Sequence, residues 1–393
     1  MTDRERHSGP ATGVDDRSAE AVTGFGDRLS AAVAGRQSQI VLGIDPDPAR
    51  LWPAAVERAS EARAQLAAVL AEAEVAAARA RGAAGAAEAR ARGAAGAAEA
   101  RARGAGGAAE ARARGAAGAA GADSSAPRLD AGVVARLEAA VAVLAHCLAL
   151  IDAAGPACVA IKPQLACFER LAAPGWLVLE QVCAHARERG LLVLADGKRG
   201  DVPVTARAYA QALVGATPSP FGEIPGLDAD AFTANPLLGR DALEPLVAGA
   251  RARGAGAFVL VRTSNPGAAD LLDERLASGE RLWERLAALV HELGSAGTSG
   301  LADVGAVTGA TQPQHLARLR ELMPRTPFLL PGIGAQGGDV AALAPVFEPG
   351  RAGGLVSASR SIANAHESGG GAPADAARAE AERLRAQAWA LPG

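Results

Sequence analysis

Asp196, Lys198 and Asp201 sit in the stretch LLVLADGKRGDVPVT, which begins at Leu191, and their types and spacing suit chemistry. Leu191 to Leu194 form a short apolar run without alternation, bounded by charge and glycine, as in a buried parallel strand. Side chains two apart on an extended segment share a face. A strand that continues past Leu194 therefore projects Asp196 and Lys198 together from its C-terminal end. Gly200 permits a sharp turn before Asp201. An ammonium set between two carboxylates is costly to hold dry and of little use for packing. At the exit of a core strand, such a cluster is a candidate site for chemistry. A solvated charged corner between a strand and a helix would use the same residue types.

The elements that must carry these residues can be read from the rest of the chain. Apolar strand candidates recur at Ile40–Ile44, Cys158–Ile161, Leu191–Leu194, Ala231–Ala234, Ala257–Val261, Val304–Val307, Phe328–Leu330 and Gly354–Val356. Helix-like segments lie among them at Glu20–Ala34, Gly175–Arg189, Val202–Val214, Arg240–Arg253, Glu280–Leu293 and Gln312–Met323. This alternation predicts an α/β chain with a parallel sheet, and eight strands is the number that closes a (β/α)8 TIM barrel. Barrel chemistry sits at the C-terminal strand ends. Asp45, Lys162, Asp196, Lys198, Ser264, Gln336 and Arg360 collect at those ends. A doubly wound open sheet is the rival architecture, but IVLGIDPDP is followed by no G-x-G-x-x-G.

Composition narrows the function classes. The chain has 393 residues, 49% of them apolar, and a net charge of −3, so no global attraction to nucleic acid or to a membrane is expected. The N-terminal MTDRERHSGP lacks an apolar secretory core, and residues 1–19 read as a disordered tail. The longest apolar stretch, Leu137 to Ile151, is short for a bilayer and contains His146; it reads as a buried helix. Cys147, Cys158, Cys167 and Cys183 form no C-x-x-C pair and read as reduced, buried thiols of a cytoplasmic protein. The six histidines are scattered with no H-E-x-x-H, so a protein-held metal is not indicated.

One segment breaks the barrel pattern. Residues 60–126 form a low-complexity insertion after the first strand, within a catalytic domain spanning 20–366. From Arg79 to Ala122 it repeats RARGAAGAAEA with a period of eleven, eight arginines against three glutamates giving +5. Eleven residues make three helical turns and alanine favours helix, yet each glycine costs about 1 kcal/mol and no large apolar side chain anchors the segment. A weakly helical excursion is expected; an arginine-rich, anion-binding arm is the functional alternative. Residues 367–393 read as a linker and a peripheral helix, Ala374–Leu391.

Taken together, IVLGIDPDP, IKPQLACFE, LADGKRGDVPVT, TANPLLGRDALEP, VLVRTSNPG, VGAVTGAT, LLPGIGAQGGD and VSASRSI resemble, in order, the orotidine 5′-phosphate decarboxylases of longer bacterial type. The resemblance runs from Phe25 to Ala365 apart from the insertion, and Thr205, four residues after Asp201, belongs to it. It implies a homodimeric enzyme without metal or cofactor that converts orotidine 5′-monophosphate to uridine 5′-monophosphate, the last step of de novo synthesis. The implied catalytic array is Lys162, Asp196, Lys198 and Asp201. Asp201 and Thr205 would serve the neighbouring subunit's site. Asp45 and Lys162, with Thr205, would hold the ribose hydroxyls; Ser264 would meet the pyrimidine; Gln336 and Arg360 would grip the phosphate. Two departures stand out: Gly197 replaces the usual alanine between Asp196 and Lys198, and Thr217–Asp228 is long. The competing readings are a metal-dependent sugar-phosphate decarboxylase or aldolase of the same superfamily, and a non-catalytic nucleotide-binding scaffold.

Overall fold

The computed structural model describes residues 23–60, 90, 131–333 and 338–391. The expected tail 1–19 lies outside the described residues, as does the repeat Arg79–Ala122 apart from Arg90. The chain divides into two compact units, the first comprising Met1–Gly43, Ala154–Pro163 and Ala186–Gly393, the second Ile44–Ala153 and Gln164–His185.

The first unit carries a closed parallel barrel. Its strands are β1 (Ile40–Ile44, whose last residue opens the second unit), β2 (Ala160–Pro163), β3 (Leu192–Arg199), β6 (Ala231–Ala234), β7 (Gly256–Arg262), β8 (Val304–Thr308), β9 (Phe328–Pro331) and β10 (Gly354–Ala358). Around the barrel they run β1-β10-β9-β8-β7-β6-β3-β2. Strands β1, β2, β6, β8 and β10 are buried at every residue, because barrel strands are covered on both faces; this is why they read as unbroken apolar runs. A short antiparallel hairpin, β4 (Ala216–Ser219) with β5 (Gly222–Pro225), fills the long segment before β6. It is largely exposed, and Phe221 at its tip is 94% exposed.

Helix Phe25–Arg36 packs Phe25, Leu29 and Val33 into the barrel core, a stripe at helical spacing. Phe25 meets Phe258 edge-on, with ring centroids 5.8 Å apart. That contact depends on two glycines. A Cβ on Gly256 would lie 2.4 Å from the Phe25 ring, and one on Gly305 2.3 Å from the Phe258 ring. The C-terminal helix Pro373–Trp389 buries Ala377, Ala381, Leu384 and Ala388, and Arg351 stacks over Trp389 at 4.2 Å. One face of this helix is buried.

Ahead of β9 and β10 lies a buried cation. Arg320, 3% exposed, donates to the carbonyls of Met323, Thr326, Val346 and Gly353 at 2.8–3.0 Å and covers the Phe328 ring at 4.0 Å. Burial pushes its pKa down to about 10, opposed by Glu348.

In the second unit, helix Ala131–Ala154 is longer than the apolar run Leu137–Ile151 because the flanking alanines extend it. At this length it could cross a membrane by length and composition alone, which corrects the shorter expectation. Val143, Cys147, Leu150 and Ile151 are nonetheless buried, and His146 Nδ1 accepts the Trp52 amide at 3.2 Å, so it packs as a core helix of its unit. None of the four cysteines forms a disulfide, and burial pushes the Cys158 thiol up to about 12.

Candidate active site

The apolar run that begins β3 ends at Ala195, yet the strand continues to Arg199. Its pairing with β6 is irregular: Ala195 is in register with Phe232 and Arg199 with Ala234. Three residues of β3, Asp196, Gly197 and Lys198, thus oppose Thr233 alone. Lys198 has φ +47°, in the left-handed region that a residue with a Cβ seldom adopts. Bulges and strained backbone of this kind gather beside functional sites, where they re-aim side chains. Simple alternation is therefore not what brings Asp196 and Lys198 together.

They do meet. Lys198 Nζ donates to Asp196 Oδ1 at 2.7 Å, and Lys162 Nζ, from the end of β2, donates to Asp196 Oδ2 at 2.6 Å. One carboxylate bridges two ammoniums. Asp196 and Lys162 side chains are 7% and 9% exposed, whereas that of Lys198 is 44% exposed, so the array opens to solvent on the Lys198 side. Burial alone would raise the Asp196 pKa; Lys162 and Lys198 outweigh it and hold the carboxyl at about 2. Asp196 is ionised at neutral pH.

The other expected residues have different settings. Asp201 accepts the Val202 amide at 2.7 Å, and among the described residues no ion pair links it to Lys198. Thr205 is exposed on the helix Pro203–Val214. Ser264 lies in the turn after β7, where its carbonyl accepts Thr311 Oγ1 at 3.3 Å; a Cβ on Gly309 would lie 2.7 Å from the Ser264 Cα. Arg360 is exposed and follows β10 directly after Ser359. Gly43 lets this turn close on β1, since a Cβ there would sit 2.5 Å from that of Ser359. Asp45 follows Ile44, is exposed, and belongs to the second unit. Gln336 lies outside the described residues.

Two further side chains join the strand ends without having been singled out from sequence. Thr233 Oγ1 donates to Asp196 Oδ1 at 2.8 Å. Arg262, 4% exposed, forks onto Asp273 at 2.9 and 3.0 Å and reaches the Thr263 carbonyl at 2.8 Å, which fastens the turn that carries Ser264. This pairing pulls the Asp273 pKa down. Both residues lie inside quoted motifs, TANPLL and VLVRTSNPG; a charged residue inside an apolar strand was the available signal for Arg262. A cavity of about 210 Å³ is lined by Val33, Leu301, Arg351 and Trp389 among others, and none of the expected site residues lines it.

The family model for the orotidine 5′-phosphate decarboxylase / HUMPS family matches residues 137–373, more than half of the chain. The chain belongs to that family. A Deinococcus radiodurans orotidine 5′-phosphate decarboxylase is 45% identical over 240 residues, 60% of this chain and 83% of the relative. A Haloarcula marismortui orotidine 5′-phosphate decarboxylase is 46% identical over 220 residues, 56% of this chain and 72% of the relative. Among solved structures, the OMP decarboxylase of Leishmania donovani superposes with a TM-score of 0.51 at 33% identity, covering 64% of this chain and 90% of that one. The TIM barrel expected of a decarboxylase of this family is the fold observed.

Proposed function

We infer that this chain removes CO₂ from C6 of orotidine 5′-monophosphate to give uridine 5′-monophosphate. The observation that carries this reading, in a member of this family, is the single carboxylate, Asp196, bridged between Lys162 and Lys198 at the ends of β2 and β3. As the C6–carboxylate bond breaks, its electron pair stays on C6 in the plane of the ring, where the π system cannot spread it. A fixed cation beside C6 then supplies the stabilisation. Lys198 is the group for this role, because it alone of the two lysines is open on one side. Its Nζ proton passes to C6 as CO₂ departs, and solvent restores the ammonium. Lys162 and Asp196 hold the charges in alternation.

Asp201 and Thr205 act in the site of a second copy, and the enzyme is a homodimer. The absence of an Asp201–Lys198 pair among the described residues supports this, as do exposed apolar side chains nearby in sequence: Val202, Val204, Leu237 and Leu238 are 55–83% exposed. Asp45 and Lys162 contact the ribose, Ser264 the pyrimidine, and Gln336 and Arg360 the phosphate, where Arg360 offers two parallel donors. Four cysteines outside any disulfide fit a cytoplasmic enzyme. Purified protein is expected to convert orotidine 5′-monophosphate, followed by the orotate-to-uracil absorbance change, equally with and without a chelator. Lys198→Ala is expected to abolish that change. Metal-dependent conversion, or substantial activity of Lys198→Ala, overturns the reading.

A further inference from the structure

The bulge in β3 leaves its backbone without the regular ladder to β6, so its amides need other partners. Thr233 supplies one. Its Oγ1 accepts the Lys198 amide at 2.8 Å and donates to Asp196 Oδ1 at 2.8 Å. The amide can only donate and the carboxylate can only accept, so the hydroxyl proton is committed to Asp196. One hydroxyl thereby ties the backbone of Lys198 to the carboxylate that its own ammonium meets at 2.7 Å. Thr233 is 1% exposed, so solvent does not substitute for it. The left-handed conformation of Lys198 persists only where its surroundings over-determine it, and this hydroxyl is one such constraint.

We propose that Thr233 is a positioning residue for the decarboxylation, holding the Lys198 backbone and the Asp196 carboxylate in register through its hydroxyl. The proposal rests on the function inferred above and assigns no substrate contact to Thr233. Val keeps the shape of Thr and suits a strand, so Thr233→Val isolates the hydroxyl. Its kcat is expected to fall about 10- to 100-fold, about 1.4–2.7 kcal/mol at 1.36 kcal/mol per tenfold, with KM within about twofold of wild type. Thr233→Ser, which restores the hydroxyl, is expected to recover kcat to within about threefold. Circular dichroism confirms that each variant is folded; if Thr233→Val is insoluble, Thr233→Ala replaces it with the same expectations. A Val or Ala variant that turns over within about twofold of wild type overturns the proposal. So does a Ser variant as slow as Val, or a defect confined to KM. Wild type that fails to convert orotidine 5′-monophosphate removes the functional reading and this proposal with it, whereas an active wild type beside an unimpaired Val variant removes the proposal alone.

Discussion

Replacing Asp196 by Asn removes a charge and keeps the shape. In the folded chain this carboxyl titrates at about 2 instead of its ordinary 3.8: burial opposes ionisation, and the ammoniums of Lys162 and Lys198 more than compensate. At about 1.4 kcal/mol per pH unit, that displacement amounts to about 2–3 kcal/mol. The folded pKa lies below the unfolded one. The stabilisation from ionised Asp196 is therefore fully present above about pH 4 and is lost as pH falls toward 2. Asn carries no titrating proton and stands for the neutral acid at every pH. Wild type is thus expected to exceed Asp196→Asn by about 2–3 kcal/mol at about pH 6. The gap should close progressively below about pH 4. Urea unfolding of both proteins across this range measures it, down to the lowest pH at which both remain folded. Asp27, Asp273 and Glu284 are also pulled low, but they titrate in both proteins and cancel in the difference. A gap that stays constant, or widens toward acid, refutes the claim that two lysines stabilise this carboxylate.

Three other perturbations test separate parts of the structure. On the proposed phosphate role, in which phosphate binding energy organises the charged array, Arg360→Ala is expected to lower kcat as well as raise KM, and added phosphite should partly restore turnover of a truncated nucleoside; unchanged kcat at saturation contradicts this. Arg320→Met leaves the carbonyls of Met323, Thr326, Val346 and Gly353 buried without their donors. It should cost about 3 kcal/mol or more in thermal or urea unfolding, with kcat of the folded protein unchanged; a loss under about 1 kcal/mol counts against the role given to Arg320. Gly305→Ala places a methyl 2.3 Å from the Phe258 ring and should destabilise by about 1–3 kcal/mol. Phe258→Leu in the same chain should cost less than the two single changes added, and strict additivity would show that the clash is not with Phe258.

The barrel was legible because its strands are covered on both faces. A strand such as Val304–Thr308, buried throughout, leaves an apolar run that needs no periodicity to be noticed. The same signal stops where the chemistry starts. The run in β3 ends at Ala195, while the strand continues through Asp196 and Lys198 to Arg199, held by a bulge and a hydroxyl from β6. Local sequence could place the lysine and the aspartate near each other, and Lys162 at the neighbouring strand end. It could not show that Thr233, 37 positions beyond Asp196, would complete the cluster, because that pairing depends on register across two strands. Arg262 and Asp273 illustrate the same difficulty over a shorter span, since a turn and a short helix separate them. The hairpin Ala216–Pro225 was missed for a different reason. Its exposed strands bury no alternating face, and its three prolines and glycine read as loop.

Arg320 fastens the carbonyls of Thr326 and Gly353, just upstream of β9 and β10, whereas Arg360 and Gln336 follow the downstream ends of those strands. Under the function proposed above, rigidity and phosphate recognition fall at opposite termini of the same two strands. On that proposal, changes in the segments that follow Pro331 and Ala358 are expected to leave the upstream anchor, and with it the seating of both strands, intact. For an engineer seeking a different phosphorylated ligand, those two segments are the places to diversify, and Arg320 is the residue to leave alone.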